Sequence, residues 1–223
     1  MNGLVIIIVV AILLIIGSDI YMKSLKKKIM RERFKMTKFF QLVIEDDKIN
    51  DTNEQGHTPL MVAVLGKFDK STIKLLDAGT DINIKGETGE QVVHLAAHHS
   101  KPVILEKIIE KGADVNNRDM QGCTAIWYAA QNSRYDNAEI LLKHDAMINV
   151  VDNNFGLTPL MIAAQNGGYR TVEVLLKNNP DKTISVENFG TAYDIAKLRL
   201  RDNIKNNKKA AKELEKMVEK LKI

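Results

Sequence analysis

The sequence predicts an all-α solenoid of stacked helical pairs, preceded by an N-terminal transmembrane helix. Two observations carry this prediction. Thirteen apolar residues stand without a break near the N-terminus, and a motif of about 33 residues then returns along most of the chain. Hydrophobic residues make up 45% and charged residues 27% of the sequence, which is ordinary for a folded protein and argues against extensive disorder.

Residues 1–22 are predicted to form a transmembrane signal-anchor helix. Residues 4–16 read LVIIIVVAILLII, and the mild residues after them extend the segment to about 20 residues, enough to cross about 30 Å of hydrocarbon. A cleaved signal peptide is the first alternative and a buried core helix the second. No Lys or Arg precedes the apolar run and no small-x-small site follows it, and both features disfavour cleavage.

Residues 23–38 form a basic juxtamembrane segment with eight basic residues and one acidic residue. Basic residues beside a span stay in the cytoplasm, so we expect a single-pass membrane protein whose folded domain faces the cytoplasm. The same charges could also attract an anionic leaflet, at about 1 kcal/mol per residue. Apolar residues in this segment have a heptad-like spacing, which is typical of a dimerising coiled coil, but Glu32 interrupts the pattern. We therefore expect a monomer or a weak dimer.

The repeated motif begins as GHTPLMVAV at Gly56 and returns as GEQVVHLAA at Gly89, GCTAIWYAA at Gly122 and GLTPLMIAA at Gly156. A degenerate copy, GTAYDIA, begins at Gly190. A second motif keeps the same spacing and reads LLDAGTDIN, IIEKGADVN and LLKHDAMIN in successive copies. Four good copies in phase make chance a negligible explanation.

These motifs resemble the ankyrin repeat, whose pattern is G-x-T-P-L-H-x-A-A followed by a second helix that ends in L-L-x-x-G-A-D-V-N. The resemblance implies an ankyrin-repeat solenoid, in which helix-turn-helix units are joined by β-hairpin-like loops. It covers a domain at 39–223, with repeats near 54–85, 87–118, 120–151 and 154–186 and a degenerate C-terminal cap at 187–223.

Residue types predict where the helices begin and end. Thr58 and Thr158 precede prolines, a pattern typical of a helix N-terminus. Paired alanines let neighbouring first helices approach closely. Residues that tolerate the left-handed conformation are expected to end the second helices at Gly79, Gly112, Asp145 and Asn179. A helix at 36–46 and a charged last helix at 208–221 are expected to cap the stack.

Three copies depart from the pattern. The second has Gln91-Val92 in place of Thr-Pro. The fourth is preceded by an extra residue in the loop 151–155, which is expected to reshape that hairpin. The fifth has lost one residue and places Phe189 where glycine is expected.

The resemblance implies that hairpin tips and the exposed side of the first helices bind a partner protein, forming a concave surface. Carried over by motif position, the partner-binding residues are Glu54, Gln55, His57, Glu87, Thr88, Glu90, His98, His99, Met120, Gln121, Trp127, Tyr128, Gln131, Asn132, Asn154, Phe155, Leu157, Gln165 and Asn166.

Two features of this set have a second interpretation. Trp127 and Tyr128 form a hot spot or simply pack between repeats. Phe155 and Leu157 form an apolar contact or fold onto their own loop.

Residues 39–196 carry a net charge of −8, which favours a basic partner and disfavours nucleic acid. The alternative function is a membrane-surface or nucleic-acid binder that acts through its basic ends.

Catalysis is not expected. The sequence has no phosphate-binding glycine loop, nucleophile elbow or HExxH motif, and we expect no cofactor. His94 and His98 have the i, i+4 spacing of metal ligands, but His94 occupies the position where the family has a histidine with a structural role, so no metal site is expected. Cys123 is the single cysteine and is expected to be an unreactive surface thiol.

Overall fold

The computed structural model describes residues 30–45, 47–203 and 208–222, and its regular structure is helical. The segment predicted as the anchor, 1–22, lies outside these ranges. Within them, no helix has both the length and the apolar composition needed to cross a bilayer. The helices are α1 (30–45), α2 (Pro59–Leu65), α3 (Asp69–Asp77), α4 (Val92–His99), α5 (Pro102–Glu110), α6 (Ala125–Gln131), α7 (Tyr135–Lys143), α8 (Pro159–Asn166), α9 (Tyr169–Leu176), α10 (Ala192–Asn203) and α11 (Lys208–Leu221).

The helices from α2 onward form two parallel rows. The inner row contains α2, α4, α6, α8 and α10, and each helix contacts the next one in the row. The outer row contains α3, α5, α7, α9 and α11, which also contact one another in order. Each inner helix packs against the outer helix that follows it in the chain. The predicted helical solenoid is therefore confirmed.

The predicted N-terminal caps are present. The hydroxyls of Thr58 and Thr158 accept a hydrogen bond from the N–H three residues later, at 3.3 Å and 3.2 Å. In the second copy the backbone N–H of Gln91 donates instead to Nδ1 of His94, at 2.9 Å. This bond occupies a backbone donor at the start of α4, in a copy that has Gln91-Val92 in place of Thr-Pro.

The outer helices end where the sequence predicts. Gly79 and Gly112 have φ angles of 84° and 99°, and Asp145 and Asn179 have φ angles of 59° and 52°. These left-handed residues turn the chain out of each helix and into the next loop.

Small residues bring the inner helices together. The alanine pairs of α4, α6 and α8 are completely buried. One continuous apolar core runs from Phe40 to Leu221, and aliphatic side chains of the outer row, such as Leu105 and Leu141, complete it. No single unit buries its own apolar face, so stability depends on the contacts between neighbours.

Both ends of the stack are covered by helices. The first one, α1, begins by residue 30, so the expected start at Met36 is too late; no helix-breaking residue lies between 30 and 36. Phe40 anchors α1 by packing on Phe68, with ring centroids 5.5 Å apart. At the other end α11 has the bounds that the sequence predicts, and it buries Leu214, Met217 and Leu221.

Candidate functional site

Hairpin tips connect the outer helix of one unit to the inner helix of the next. In the first three tips a backbone N–H bonds to the carbonyl oxygen four residues later, at 2.8–3.1 Å. These bonds run from Asn53 to His57, from Gly86 to Glu90 and from Asp119 to Cys123. In the fourth tip the bond spans five residues, from Asp152 to Leu157 at 3.2 Å. The extra residue of this copy is therefore accommodated by a wider turn.

Backbone hydrogen bonds also join successive tips. The N–H of one tip donates to a carbonyl oxygen of the preceding tip, at 3.2, 3.0 and 2.7 Å. The three pairs are Glu87 with Gln55, Met120 with Thr88 and Asn153 with Gln121. The last two tips meet through their side chains, because the rings of Phe155 and Phe189 pack edge to face with centroids 5.9 Å apart. The tips thus form one ordered row.

Buried carboxylates hold the tips in shape. Asp119 accepts hydrogen bonds from the backbone N–H groups of Gln121 and Cys123, both at 2.9 Å. Asp152 accepts three such bonds in its own wider tip. Both aspartates are buried and begin their tips, so they satisfy backbone donors that the turn leaves free.

In the second tip the buried carboxylate that stabilises the turn is Glu90, which stands at the end of the tip rather than at its beginning. That tip begins with Gly86, and a Cβ atom there would lie 2.3 Å from Oε1 of Glu90, so the glutamate fills the space of the missing side chain. Its carboxylate bonds to Thr88 and lies 2.7 Å from Nε2 of His57. Burial raises the pKa of Glu90, but hydrogen bonds from Thr88 and His57 outweigh it, and the pKa lies below its ordinary value.

The prediction that Glu90 and Leu157 contact a partner is wrong, because their exposed fractions are 7% and 3%. The expectation of a surface thiol at Cys123 is wrong as well, since it is 1% exposed. All three residues follow a tip glycine with φ between 71° and 78°. At this point the chain turns inward, so the side chain after the glycine lies under the tip. Burial, together with Asp119 and Asp152, raises the pKa of Cys123 to about 12.

The other tip residues are exposed as predicted, apart from His57, which is half-buried against Glu90. Met120 and Phe155 are the most prominent apolar side chains, with exposed fractions of 71% and 61%. Phe155 packs on the next tip rather than on its own loop. Phe189 was not predicted as a contact, although an aromatic residue in the place of a tip glycine was a usable signal. We call these exposed residues the tip ridge: Glu54, Gln55, Glu87, Thr88, Met120, Gln121, Asn154, Phe155 and Phe189.

Aromatic and imidazole rings cluster beside the ridge on α4 and α6. The ring of Tyr128 lies at the centre of this ring cluster, 5.5 Å from Trp127, 5.9 Å from His94 and 6.0 Å from His98. His99 packs on His98 with centroids 3.9 Å apart. The structure therefore brings together four of the predicted contact residues from two neighbouring repeats.

Tyr128 is fixed by the tip below it. Its hydroxyl donates to the second carboxylate oxygen of Asp119, at 2.6 Å. Burial and this hydrogen bond raise the pKa of Tyr128 far above its ordinary value, so the phenol stays protonated. The packing interpretation of Tyr128 therefore has direct support, although the ring remains half-exposed.

His94 has a structural role. It is buried, and its Nδ1 and Nε2 atoms are both engaged, with the N–H of Gln91 and the carbonyl oxygen of Asn117 at 2.9 Å each. Burial lowers the pKa of His94 despite these bonds. In the described ranges, no group of three or more histidine, cysteine and acidic residues could hold a metal ion.

Trp127 and His98 each keep one buried polar atom without a partner. Neither the indole Nε1 of Trp127 nor Nδ1 of His98 has a hydrogen-bond partner among the described residues. Burial, then the positive charges of His99, Arg134 and Lys67, lowers the pKa of His98 to about 4. His98 is therefore neutral at physiological pH, and both rings keep unused hydrogen-bonding capacity.

The polar residues at the ends of α6 and α8 complete the surface. Gln131, Asn132 and Asn166 are exposed and Gln165 is half-exposed. The side-chain amide of Asn166 donates to the carbonyl oxygen of Gln131 at 2.8 Å, which joins the two repeats. The tip ridge, the ring cluster and these amides together form a surface that spans the four repeats and the C-terminal cap.

Comparison with protein families identifies the repeats. A family model described as ankyrin repeats in three copies matches residues 30–119, 66–152 and 93–188. These overlapping matches cover most of the chain, including α1 and the first four hairpin tips.

Individual relatives are similar to parts of the chain. A putative ankyrin repeat protein of fowlpox virus is 28% identical over 134 residues, 59% of this chain and 31% of its own length. The nuclear factor NF-kappa-B p105 subunit of Rattus norvegicus is 30% identical over 116 residues, 51% of this chain and 12% of that protein. A glycerophosphocholine phosphodiesterase of Candida albicans is 32% identical over 48% of this chain and 9% of its own length. The chain thus spans less than a third of each of these relatives.

Proposed function

Since the chain belongs to the ankyrin-repeat family, we propose that it is a membrane-tethered scaffold that binds a partner protein through the tip ridge and the ring cluster. Ankyrin repeats imply protein–protein interaction, and the family is typically non-catalytic. The phosphodiesterase relative does not argue for catalysis, because the match covers only 9% of that protein.

One observation carries the choice of surface. Trp127 is half-buried, so part of its ring remains accessible, and it packs edge to face on Tyr128, whose hydroxyl is held by Asp119. A partner that covers this ring would bury apolar surface that is already held in place, at little cost in side-chain entropy. Rigid aromatic rings beside polar groups are typical of binding hot spots.

Charge and apolar exposure describe the partner further. Glu54 and Glu87 make the first part of the tip ridge acidic, while Met120, Phe155 and Phe189 make the later part apolar. We propose a partner segment whose basic residues face the first two tips and whose apolar residues face the last three. Acidic tips disfavour nucleic acid at this surface, because phosphates need positive neutralisation.

The tether rests on sequence. The apolar run at 4–16 and the eight basic residues at 23–38 support a single-pass anchor with the repeats in the cytoplasm. A reporter fused after Ile223 is expected to be active only in the cytoplasm, and the chain is expected to keep its full mass in membranes. Loss of the first 22 residues would favour the cleaved signal peptide instead.

Quantitative affinity capture with the full-length chain tests the binding surface. Phe155→Ala, and Trp127→Phe, which keeps an aromatic ring but reduces its contact area, are expected to lower the amount of a captured protein by about tenfold and a few-fold respectively. Val103→Ala is the matched control, because Val103 is 59% exposed on α5, away from the tips. Equal capture by all three variants would contradict the proposal.

A further inference from the structure

We infer that one face of α1 lies flat on an anionic membrane surface and sets the orientation of the repeat stack; this inference rests on the tether proposed above. The face consists of Arg31, Phe34, Lys35, Lys38 and Leu42, and we call it the α1 outer face. It contains no predicted partner-binding residue.

The position of these residues follows from helix geometry. At about 100° per residue, the five side chains fall within a sector of about 100° that lies opposite Phe40 and Val43. Phe40 and Val43 are the residues that bury α1 against the stack. Phe34 and Leu42 are correspondingly exposed, with fractions of 72% and 46%. Two large apolar side chains thus point away from the protein core.

Basic residues surround these apolar side chains. Arg31, Lys35 and Lys38 are exposed on the same face, and Lys74 of α3 adjoins it through a 3.2 Å hydrogen bond to Gln41. Apolar side chains flanked by bases are typical of helices that lie in the headgroup region of a membrane. Each basic residue near an anionic leaflet adds to the attraction between the face and the membrane.

Two acidic residues of α1 oppose this attraction only weakly. Glu32 pairs with Lys35 at 2.9 Å, but both side chains are more than half exposed, so the pair contributes little and exchanges readily. Glu45 lies at the far end of α1, where its carboxylate accepts a hydrogen bond from Gln41. The first half of the face, nearest the proposed anchor, is therefore the most basic.

The short connection between the proposed anchor and α1 keeps α1 close to the membrane. Met22 ends the proposed anchor and α1 has begun by Met30, so at most about 29 Å of extended chain separates them. The 16 residues of α1 extend about 24 Å. The α1 outer face therefore stays within reach of the leaflet, where tethering gives it a high effective concentration of lipid.

Charge also favours this orientation over one that places the acidic tip ridge on the bilayer. Residues 39–196 carry a net charge of −8 and are repelled by anionic lipid. With the α1 outer face on the bilayer, the acidic tip ridge remains free to bind a partner in solution.

A single tryptophan reporter tests the inference in the full chain. Phe34→Trp is made in a Trp127→Phe background, and the protein is reconstituted into vesicles of phosphatidylcholine with about one quarter phosphatidylserine, whose acyl chains are brominated. The matched control is Phe155→Trp in the same background, because Phe155 is similarly exposed on the tip ridge. Vesicle flotation in the same samples reports the tether independently.

We expect bromine to quench the reporter at position 34 about threefold more strongly than the reporter at 155. This difference should disappear in pure phosphatidylcholine, and also when Arg31, Lys35 and Lys38 are all changed to Gln.

Equal quenching at both positions in chains that float overturns the inference and leaves the tether intact. If quenching at position 34 is equally strong with and without phosphatidylserine, the electrostatic basis of the inference is overturned. If the reporter at position 34 is buried only when the vesicles contain more protein, the α1 outer face binds a second copy of the chain, and the inference is overturned. Chains that do not float overturn the tether, and the inference with it.

Discussion

The side-chain amide of Asn137 lies 3.0 Å from the carbonyl oxygen of Ala97, which belongs to the preceding repeat. The same amide also reaches the carbonyl oxygen of Ser100 at 3.2 Å, and Asn137 is 1% exposed. The outer helix α7 therefore supplies hydrogen bonds to carbonyl groups that the end of α4 leaves free.

Replacing Asn137 by Ala is expected to destabilise the stack by about 1–3 kcal/mol, because buried carbonyl groups lose their donor. Urea unfolding of the purified chain measures this change. Asn166→Ala is the matched control: its amide also bridges two repeats, but it is exposed, and water can replace it, so a loss within about 0.5 kcal/mol is expected. Equal losses in the two variants would show that burial does not set the cost.

Two threonines at equivalent positions are expected to respond differently to the loss of a hydroxyl. Thr158→Val removes the cap of α8 and is expected to cost about 1 kcal/mol. Thr124→Val should be neutral or stabilising, because the hydroxyl of Thr124 is buried and has no partner among the described residues. Chemical unfolding of the two variants, compared at one temperature, decides between them. A larger loss at Thr124 would contradict this account.

Stability is expected to fall as the pH falls from about 6.5 towards 4. The pKa of His98 is about 4 in the folded chain, against an ordinary value of 6.5, so in this interval the unfolded chain binds a proton that the folded chain does not. Burial lowers the pKa values of His94 and His99 as well. The melting temperature should therefore be lower at pH 5.5 than at pH 7.5, a range in which most carboxylates stay ionised.

His98→Gln checks the origin of that pH dependence. Glutamine does not titrate, so the difference in melting temperature between pH 7.5 and pH 5.5 should shrink in this variant. If the difference is unchanged, the titration of His98 does not contribute to stability in this interval.

The thiol of Cys123 is expected to be unreactive while the chain is folded. It is 1% exposed and burial raises its pKa to about 12, so very little thiolate forms at neutral pH. Alkylation followed by mass spectrometry should show modification only at urea concentrations that unfold the repeats. Fast labelling of the native chain would place this residue on the surface and contradict the buried position.

The tip residues show where the exposure predicted from the sequence differs from the exposure in the structure. The repeat motif places Glu90, Cys123 and Leu157 at a variable position, and variable positions are usually exposed. Their burial depends on the turn at the preceding glycine and, for Glu90, on the absence of a side chain at Gly86. A motif aligned on conserved positions does not reveal which way such a turn directs the next residue.

The sequence by itself determined the repeat length, the start of each inner helix at a threonine or glutamine, and the left-handed ends of the outer helices. These features are local, since proline, glycine, asparagine and aspartate act on the backbone within a few residues. Tertiary structure decided which side chains remain available. Tyr128 packs against His94, and Glu90 contacts His57, because residues about 33 apart become neighbours only when the repeats stack.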